Sequence, residues 1–314
     1  MVRIGDLEID IPIIQGGMAI KASMSRLAAA VANEGGVGVI AATALPIDEL
    51  KEEIKKAKKN IINKGGALGV NIMVAASNFA DLVKASIEEK VDMIICGAGF
   101  SRDVFDMVKN TETKLVPIVS SLKLAKIAEK LGADALVVEG GNAGGHLGTD
   151  LDSWDIVGEI AKNVSIPVFG AGGVMTPEDA TRMLDLGATG VQMGSRFIAS
   201  EECEVDQFFK EMYIKAEEGD VLTIMSSAGL PANAIRSPYV EKIIEGTEVL
   251  TPKSCHRCLK KCSLKFCVNE SLRKGHSGNY DEGIFFAGKE VHRIKEILTV
   301  KEIFRRFAPV FQNA

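Results

Sequence analysis

The 314-residue sequence has no surplus of positive charge: 37 lysines and arginines stand against 42 aspartates and glutamates, for a net charge of -5. That balance offers no electrostatic footprint for nucleic acid or for an anionic membrane surface, so a small molecule is the expected partner. No uninterrupted apolar run reaches the roughly 20 residues that span a bilayer. The opening MVRIGDLEIDIP alternates charged and aliphatic residues and lacks the apolar centre of a signal peptide, so a cytoplasmic protein is expected. A disulfide framework is missing as well. Of six cysteines, Cys96 and Cys203 stand alone, while Cys255, Cys258, Cys262 and Cys267 crowd together in a way that suits a metal or cluster better. No Gly-x-Gly-x-x-Gly follows the first strand, which argues against an NAD-binding doubly wound domain.

With 46% hydrophobic residues, the chain is long enough to bury one large core. Short aliphatic runs recur at Ile11–Gln15, Val37–Ala42, Ala67–Met73, Val91–Gly97, Leu115–Ser120, Ala135–Gly140, Pro167–Gly170 and Gly190–Gly194. Between them lie helical patterns such as Ile47–Asn63, where Leu50, Ile54, Ala57 and Ile61 share one face, and Leu122–Leu131. The strands are continuously apolar, as expected of parallel strands covered on both faces. Eight βα units in order predict an α/β chain folded as a (βα)8 TIM barrel, with an open doubly wound sheet as the competing arrangement. Thr176-Pro177-Glu178-Asp179 starts the seventh helix with a capping hydroxyl, a proline in the first turn and acids at the positive dipole end. The expected organisation is a barrel over residues 1–200, a segment covering its mouth over 201–250, and a helical, cysteine-containing C-terminal appendage over 251–314. In the last two, Glu202–Glu217 reads as a helix, Ala228–Pro238 as a loop and Val291–Phe307 as a helical tail.

Barrels of this kind bind ligands where the strands end, with phosphate held after strands seven and eight. Strand seven runs into Gly170-Ala171-Gly172-Gly173, and strand eight into Gln192-Met193-Gly194-Ser195. Glycine lets backbone N–H groups approach an anion and Ser195 adds a hydroxyl, so a phosphate cradle is expected; the plainer alternative is a pair of tight turns. Strand six ends in Glu139-Gly-Gly-Asn-Ala-Gly-Gly-His146, a glycine-dense loop with a carboxylate at its base and an imidazole at its apex. A lone histidine is ordinarily a surface or satisfied core residue, but this position at the catalytic end makes His146 the acid-base candidate. His256, His276 and His292 lack that context and read as ordinary surface residues. Gly17 and Met18, after strand one, and Asn71, on strand three, could meet a planar ring; Met18 as core and Asn71 as a strand-end cap are equally open. Cys255-x2-Cys258-x3-Cys262-x4-Cys267 could converge on an iron–sulfur cluster or zinc, or remain free thiols, with Arg257, Lys260, Lys261 and Lys265 offsetting thiolate repulsion.

PIIQGGMA at 12–19, GVNIMV at 69–74, EGGNAGGHLG at 139–148, PVFGAGGV at 167–174, QMGSRF at 192–197 and SSAGLPANAIRSP at 226–238 together resemble the nitronate monooxygenase (2-nitropropane dioxygenase) family. The same pattern is shared by FMN-dependent enoyl-acyl-carrier-protein reductases of the FabK type. The resemblance implies FMN contacts at Gly17, Met18, Asn71, Glu139, Gly144, Gly145, Gly172, Gly173, Gly194 and Ser195, with His146 as the catalytic histidine. It implies oxidation of nitronates or nitroalkanes with O2 to a carbonyl product and nitrite, His146 first removing the α-proton of a neutral nitroalkane. The alternative activity is NAD(P)H-dependent reduction of an enoyl thioester; a non-catalytic flavin- or metal-binding protein is a second alternative. A homo-oligomer is compatible with all three. Asn142 stands where many relatives carry an acid, which the resemblance reads as a change of charge beside the substrate, and Ser195 where threonine is common.

Overall fold

The computed structural model describes residues 1–246, 249–252 and 254–312. Eight parallel strands close into a barrel: Ile13–Gln15, Val37–Ala41, Ala67–Met73, Met93–Gly97, Lys114–Val119, Leu136–Glu139, Val168–Ala171 and Gly190–Met193. Closure is made between the eighth strand and the first, where Gln192 pairs with Ile14 and Met193 with Gln15. The open doubly wound alternative is therefore excluded. Each expected strand is present, with ends shifted by a residue or two.

Side chains point alternately inward and outward along each strand. Ile14, Val37, Val39, Met93, Ile95, Val116, Val137 and Phe169 pack inside the barrel, with Ile4 and Ile9 among them. Those two come from an N-terminal hairpin, Val2–Ile4 with Leu7–Ile9. The opposite strand residues meet the surrounding helices in a larger apolar layer. The Pro177–Asp185 helix begins as expected: the Asp179 carboxylate accepts from the Met175 and Thr176 amides, both at 2.9 Å.

Beyond the barrel, Gln207–Lys215 is helical, a shorter span than the sequence pattern suggested, and Val221–Met225 pairs antiparallel with Pro231–Ile235. The second of these strands lies where a loop was expected, and it pairs in turn with the two-residue strand Gly145–His146. The expected helical tail divides into a short turn, Val291–Arg293, and a helix, Val300–Gln312. Phe285, Ile294, Phe304 and Phe307 are buried in the same apolar layer as the barrel helices. Arg293 binds Asp179 at 2.9 Å, joining this C-terminal stretch to the seventh βα unit.

Candidate active site

The strand ends converge on one cavity of about 210 Å³. Gly17, Met18, Asn71, Glu139, Gly144, Gly145, His146, Gly172, Gly173, Gly194 and Ser195 all line it, so every barrel residue singled out from the sequence is brought to one place. The turn after the seventh strand requires its glycines: φ is +103° at Gly172 and +77° at Gly173. A Cβ on Gly172 would run into Asn142 Oδ1, and one on Gly173 would lie 2.7 Å from both Asn142 Nδ2 and Trp154 Cζ2. At Gly194 an added Cβ would find only the Met18 side chain, at 3.8 Å, so that turn has space in front of it. Ser195 Oγ accepts from Gly288 N–H at 3.0 Å, which leaves its own hydrogen to donate. Two glycine turns, their amides and a hydroxyl suit a phosphate.

Farther in, Gln192 lines the same cavity, and its Oε1 is buried without a hydrogen-bond partner. An unmet buried acceptor costs on the order of 1–3 kcal/mol, so this atom calls for a donor from a bound group. The ring N–H and ribityl hydroxyls of FMN are donors of that kind, and with the phosphate turns they make the residues present a fit for this cofactor.

His146 is held from outside the barrel. Its two-residue strand pairs with Ala232 and Asn233. Ring atom Nε2 lies 2.8 Å from Ser226 Oγ, an oxygen that accepts from Ala228 N–H at 3.2 Å and keeps its own hydrogen to donate, and the ring stands edge-on to Phe286 with centroids 5.4 Å apart. Burial pushes the imidazole down to about 4, so it is neutral at neutral pH. Glu139 moves the other way: burial pushes its carboxyl up to about 8, with no opposing contribution from a cation or hydrogen bond. One cavity thus holds a neutral base and a protonated acid, the separation expected of groups that divide proton handling between them.

Asn233 and Asn142 brace the loop. Asn233, with no exposed surface, donates through Nδ2 to Gly141 O at 2.9 Å and Ala143 O at 2.7 Å, and accepts from Thr223 Oγ1 at 2.7 Å. Asn142 Nδ2 donates to Asp152 Oδ1 at 2.9 Å, while its Oδ1 accepts from Ser153 N–H. The expectation that Asn142 alters charge beside the substrate is therefore corrected. It faces the start of the next helix, where an acid would oppose the Asp152 carboxylate.

The cysteine group is not assembled. Among the described residues no three His, Cys, Asp or Glu side chains gather to hold a metal, so the iron–sulfur and zinc expectation for Cys255, Cys258, Cys262 and Cys267 is not supported. The reason lies in how the segment is pinned. Cys258 O accepts from Ser77 N–H, Lys260 N–H and Nζ donate to Ala75 O and Val74 O, and Leu259 and Phe266 turn inward. That arrangement leaves Cys255 and Cys262 in solvent, Cys258 and Cys267 half-buried, and Cys267 immediately before the Val268–His276 helix.

Sequence reasoning missed several contributors. Ser226 and Gln192 lay within quoted motifs without being given roles. His276, expected to be an ordinary surface residue, lines the cavity together with Asn269 and Leu272. Their i, i+3, i+7 spacing was the available signal, since it puts all three on one helix face. Phe209 and Tyr213 line the cavity from the Gln207–Lys215 helix.

A family model described as nitronate monooxygenase matches residues 2–309. The (3aS,4S,5R,7aS)-5-hydroxy-7a-methyl-1-oxo-octahydro-1H-indene-4-carboxyl-CoA dehydrogenase of Mycobacterium tuberculosis is 32% identical over 243 residues, spanning 76% of this chain and 67% of that protein. A probable nitronate monooxygenase of Staphylococcus aureus is 29% identical over 282 residues, spanning 76% of this chain and 78% of its own length. Among solved structures, FabK from Thermotoga maritima superposes with a TM-score of 0.88 at 35% identity, covering 100% of this chain and 97% of its own. A nitroalkane oxidase from Streptomyces ansochromogenes, 20% identical with a TM-score of 0.82, covers 98% of this chain and 97% of its own and shares the fold.

Proposed function

The chain belongs to the nitronate monooxygenase family, and from that premise we propose that this FMN-dependent oxidoreductase reduces an α,β-unsaturated acyl thioester with NAD(P)H as electron source. The observation that carries this reading is the apolar part of the cavity lining. Ile198, Val205, Phe209, Tyr213 and Leu272 give the cavity an apolar side suited to an acyl chain, which a nitronate of a few carbons would leave unfilled. The likeness to FabK over the whole chain, and the acyl-CoA substrate in the name of the Mycobacterium tuberculosis relative, support the same substrate class.

FMN, when bound, supplies a two-electron carrier between the nicotinamide and the alkene. The amides of the Gly172–Gly173 and Gly194–Ser195 turns and the Ser195 hydroxyl would hold its phosphate, while Asn71, Gln192 and neutral Glu139 would meet its polar groups. His146 has Nε2 engaged by Ser226, so Nδ1 is the ring atom available to exchange a proton with substrate. Its neutral state suits a hydrogen bond to the thioester carbonyl, and Glu139, protonated up to about pH 8, is a proton source in the same cavity. Phe286, edge-on to the imidazole, covers one side of the His146 ring.

Nitronate oxidation is the second reading, favoured by the family model and by His146 itself, since a neutral imidazole can take the α-proton of a nitroalkane. Anaerobic absorbance at the flavin band separates the two. Rapid bleaching by NADH or NADPH, reversed by crotonyl-CoA, is the expected result; bleaching by a nitronate but by neither nicotinamide would establish the second reading instead.

A further inference from the structure

The Val268–His276 helix lies outside the barrel and carries none of the residues used above for the cofactor or for His146, yet it closes one side of the cavity. Asn269, Leu272 and His276 share its inward stripe and line the space, whereas Glu270 and Lys274, paired at 3.2 Å, lie on its outer side. Leu272 is buried, and Asn269 and His276 are half-buried. Each polar side chain spends one end on the frame. The Asn269 side chain lies beside the Cys258 thiol, and the His276 ring lies beside the Lys21 carbonyl in the loop after the first strand. Neither side chain is otherwise engaged among the described residues, so each keeps an acceptor to offer to the cavity it lines.

We propose that this helix is the substrate-recognition wall, with Asn269 and His276 as specificity-determining residues that accept from the amide N–H groups of an acyl thioester's pantetheine-type arm. The inference rests on the enoyl-thioester reading. Seven residues of helix span about 10 Å, so an arm lying along it meets a polar station, an apolar one at Leu272 and a second polar one. An arm of amides separated by methylenes has that alternation. On the neighbouring Gln207–Lys215 helix, joined to this one by the Asp206 N–H to His276 O hydrogen bond at 2.9 Å, Phe209 and Tyr213 stand one turn apart and offer apolar lining for the acyl chain. A nitronate or a simple alkyl thioester has nothing for the two acceptors to bind.

The test uses FMN-loaded enzyme and four substrates: S-ethyl crotonate, which has no amide, then crotonyl-pantetheine, crotonyl-CoA and crotonyl-acyl carrier protein. Asn269→Ala and His276→Ala should each raise KM about tenfold for the three amide-bearing thioesters, as loss of one hydrogen bond would. Turnover at saturation should stay within about twofold, S-ethyl crotonate should be unaffected, and FMN affinity should be unchanged. His276→Gln, which keeps an acceptor, should recover most of the loss, and it carries the test together with Asn269→Ser if either alanine variant does not fold. An equal change with S-ethyl crotonate, or a change confined to crotonyl-CoA, would overturn the proposal, the latter by locating the contact on the nucleotide. If the unsubstituted enzyme reduces none of the four, the enoyl-thioester reading itself fails; if it reduces them and the variants match it, only the recognition wall does.

Discussion

Single side chains in this cavity carry opposite proton biases because none is neutralised by a partner. His146→Ala should retain FMN while lowering turnover by about 10²- to 10⁴-fold, the usual contribution of an acid-base group; single-turnover kinetics with the flavin signal read both quantities. Ser226→Ala should act through orientation, with a loss of about fivefold and unchanged FMN affinity, since it removes one hydrogen bond from Nε2. Glu139 makes stability depend on pH near neutrality. Its folded value, about 8, lies above the ordinary 4.5, so its contribution to stability is fully present below 4.5 and is lost as pH rises through 8. His146 is depressed from 6.5 to about 4, so its contribution is fully present above 6.5 and is lost as pH falls from there through 4. Between pH 6.5 and 8, therefore, Glu139 is the one of the two that titrates. The denaturation midpoint of FMN-free protein should fall across that window, and Glu139→Gln should flatten the slope; an unchanged slope would show that the carboxyl is already ionised. The sequence disclosed Glu139 and His146 through their position at a strand end. It did not disclose their ionisation, which depends on how completely elements distant in the chain enclose them.

Among the elements, the barrel strands were legible because parallel strands covered on both faces are uniformly apolar and evenly spaced. The hairpin that carries the His146 partner strand was not. Pro231-Ala-Asn-Ala-Ile235 combines proline, alanine and asparagine, none of them a strand former, and it becomes a strand because Asn233 satisfies the loop carbonyls while Gly145 and His146 complete the ladder. Asn233→Ala should accordingly cost about 2–4 kcal/mol in urea denaturation, since two buried carbonyls lose their donor. Gly173→Ala should weaken FMN binding about tenfold or more, because the alanine methyl would meet Asn142 and Trp154 at a positive φ. Fluorescence titration of FMN measures it, and wild-type affinity in that variant would mean that the turn does not grip the phosphate. The Val268–His276 helix escaped notice for a different reason: the spacing of Asn269, Leu272 and His276 marks one face, but a stripe of mixed polarity does not say what that face meets.

At the level of the whole molecule, the C-terminal stretch is built into the apolar layer around the barrel. Phe304 approaches Gly36 so closely that a Cβ there would lie 2.6 Å from its ring, and the Val300–Gln312 helix packs over the first and seventh βα units. Ending the chain before Val300 should therefore expose Phe304 and Phe307 and lower the thermal midpoint of the barrel itself, read by circular dichroism; an unchanged midpoint would show that the helix is dispensable. The segment that carries the crowded cysteines is held by buried side chains, Leu259 and Phe266 among them.

The imidazole and the two glycine turns belong to different sheets. The turns end barrel strands, whereas His146 is the edge of a three-stranded ribbon whose other members come from Val221–Ile235. A relative could therefore rebuild the ribbon, re-aim or retire its proton-handling group and take up another reaction while keeping the same grip on its nucleotide. Exchanging the 221–235 ribbon between two such proteins would transplant reactivity and leave cofactor affinity where it was.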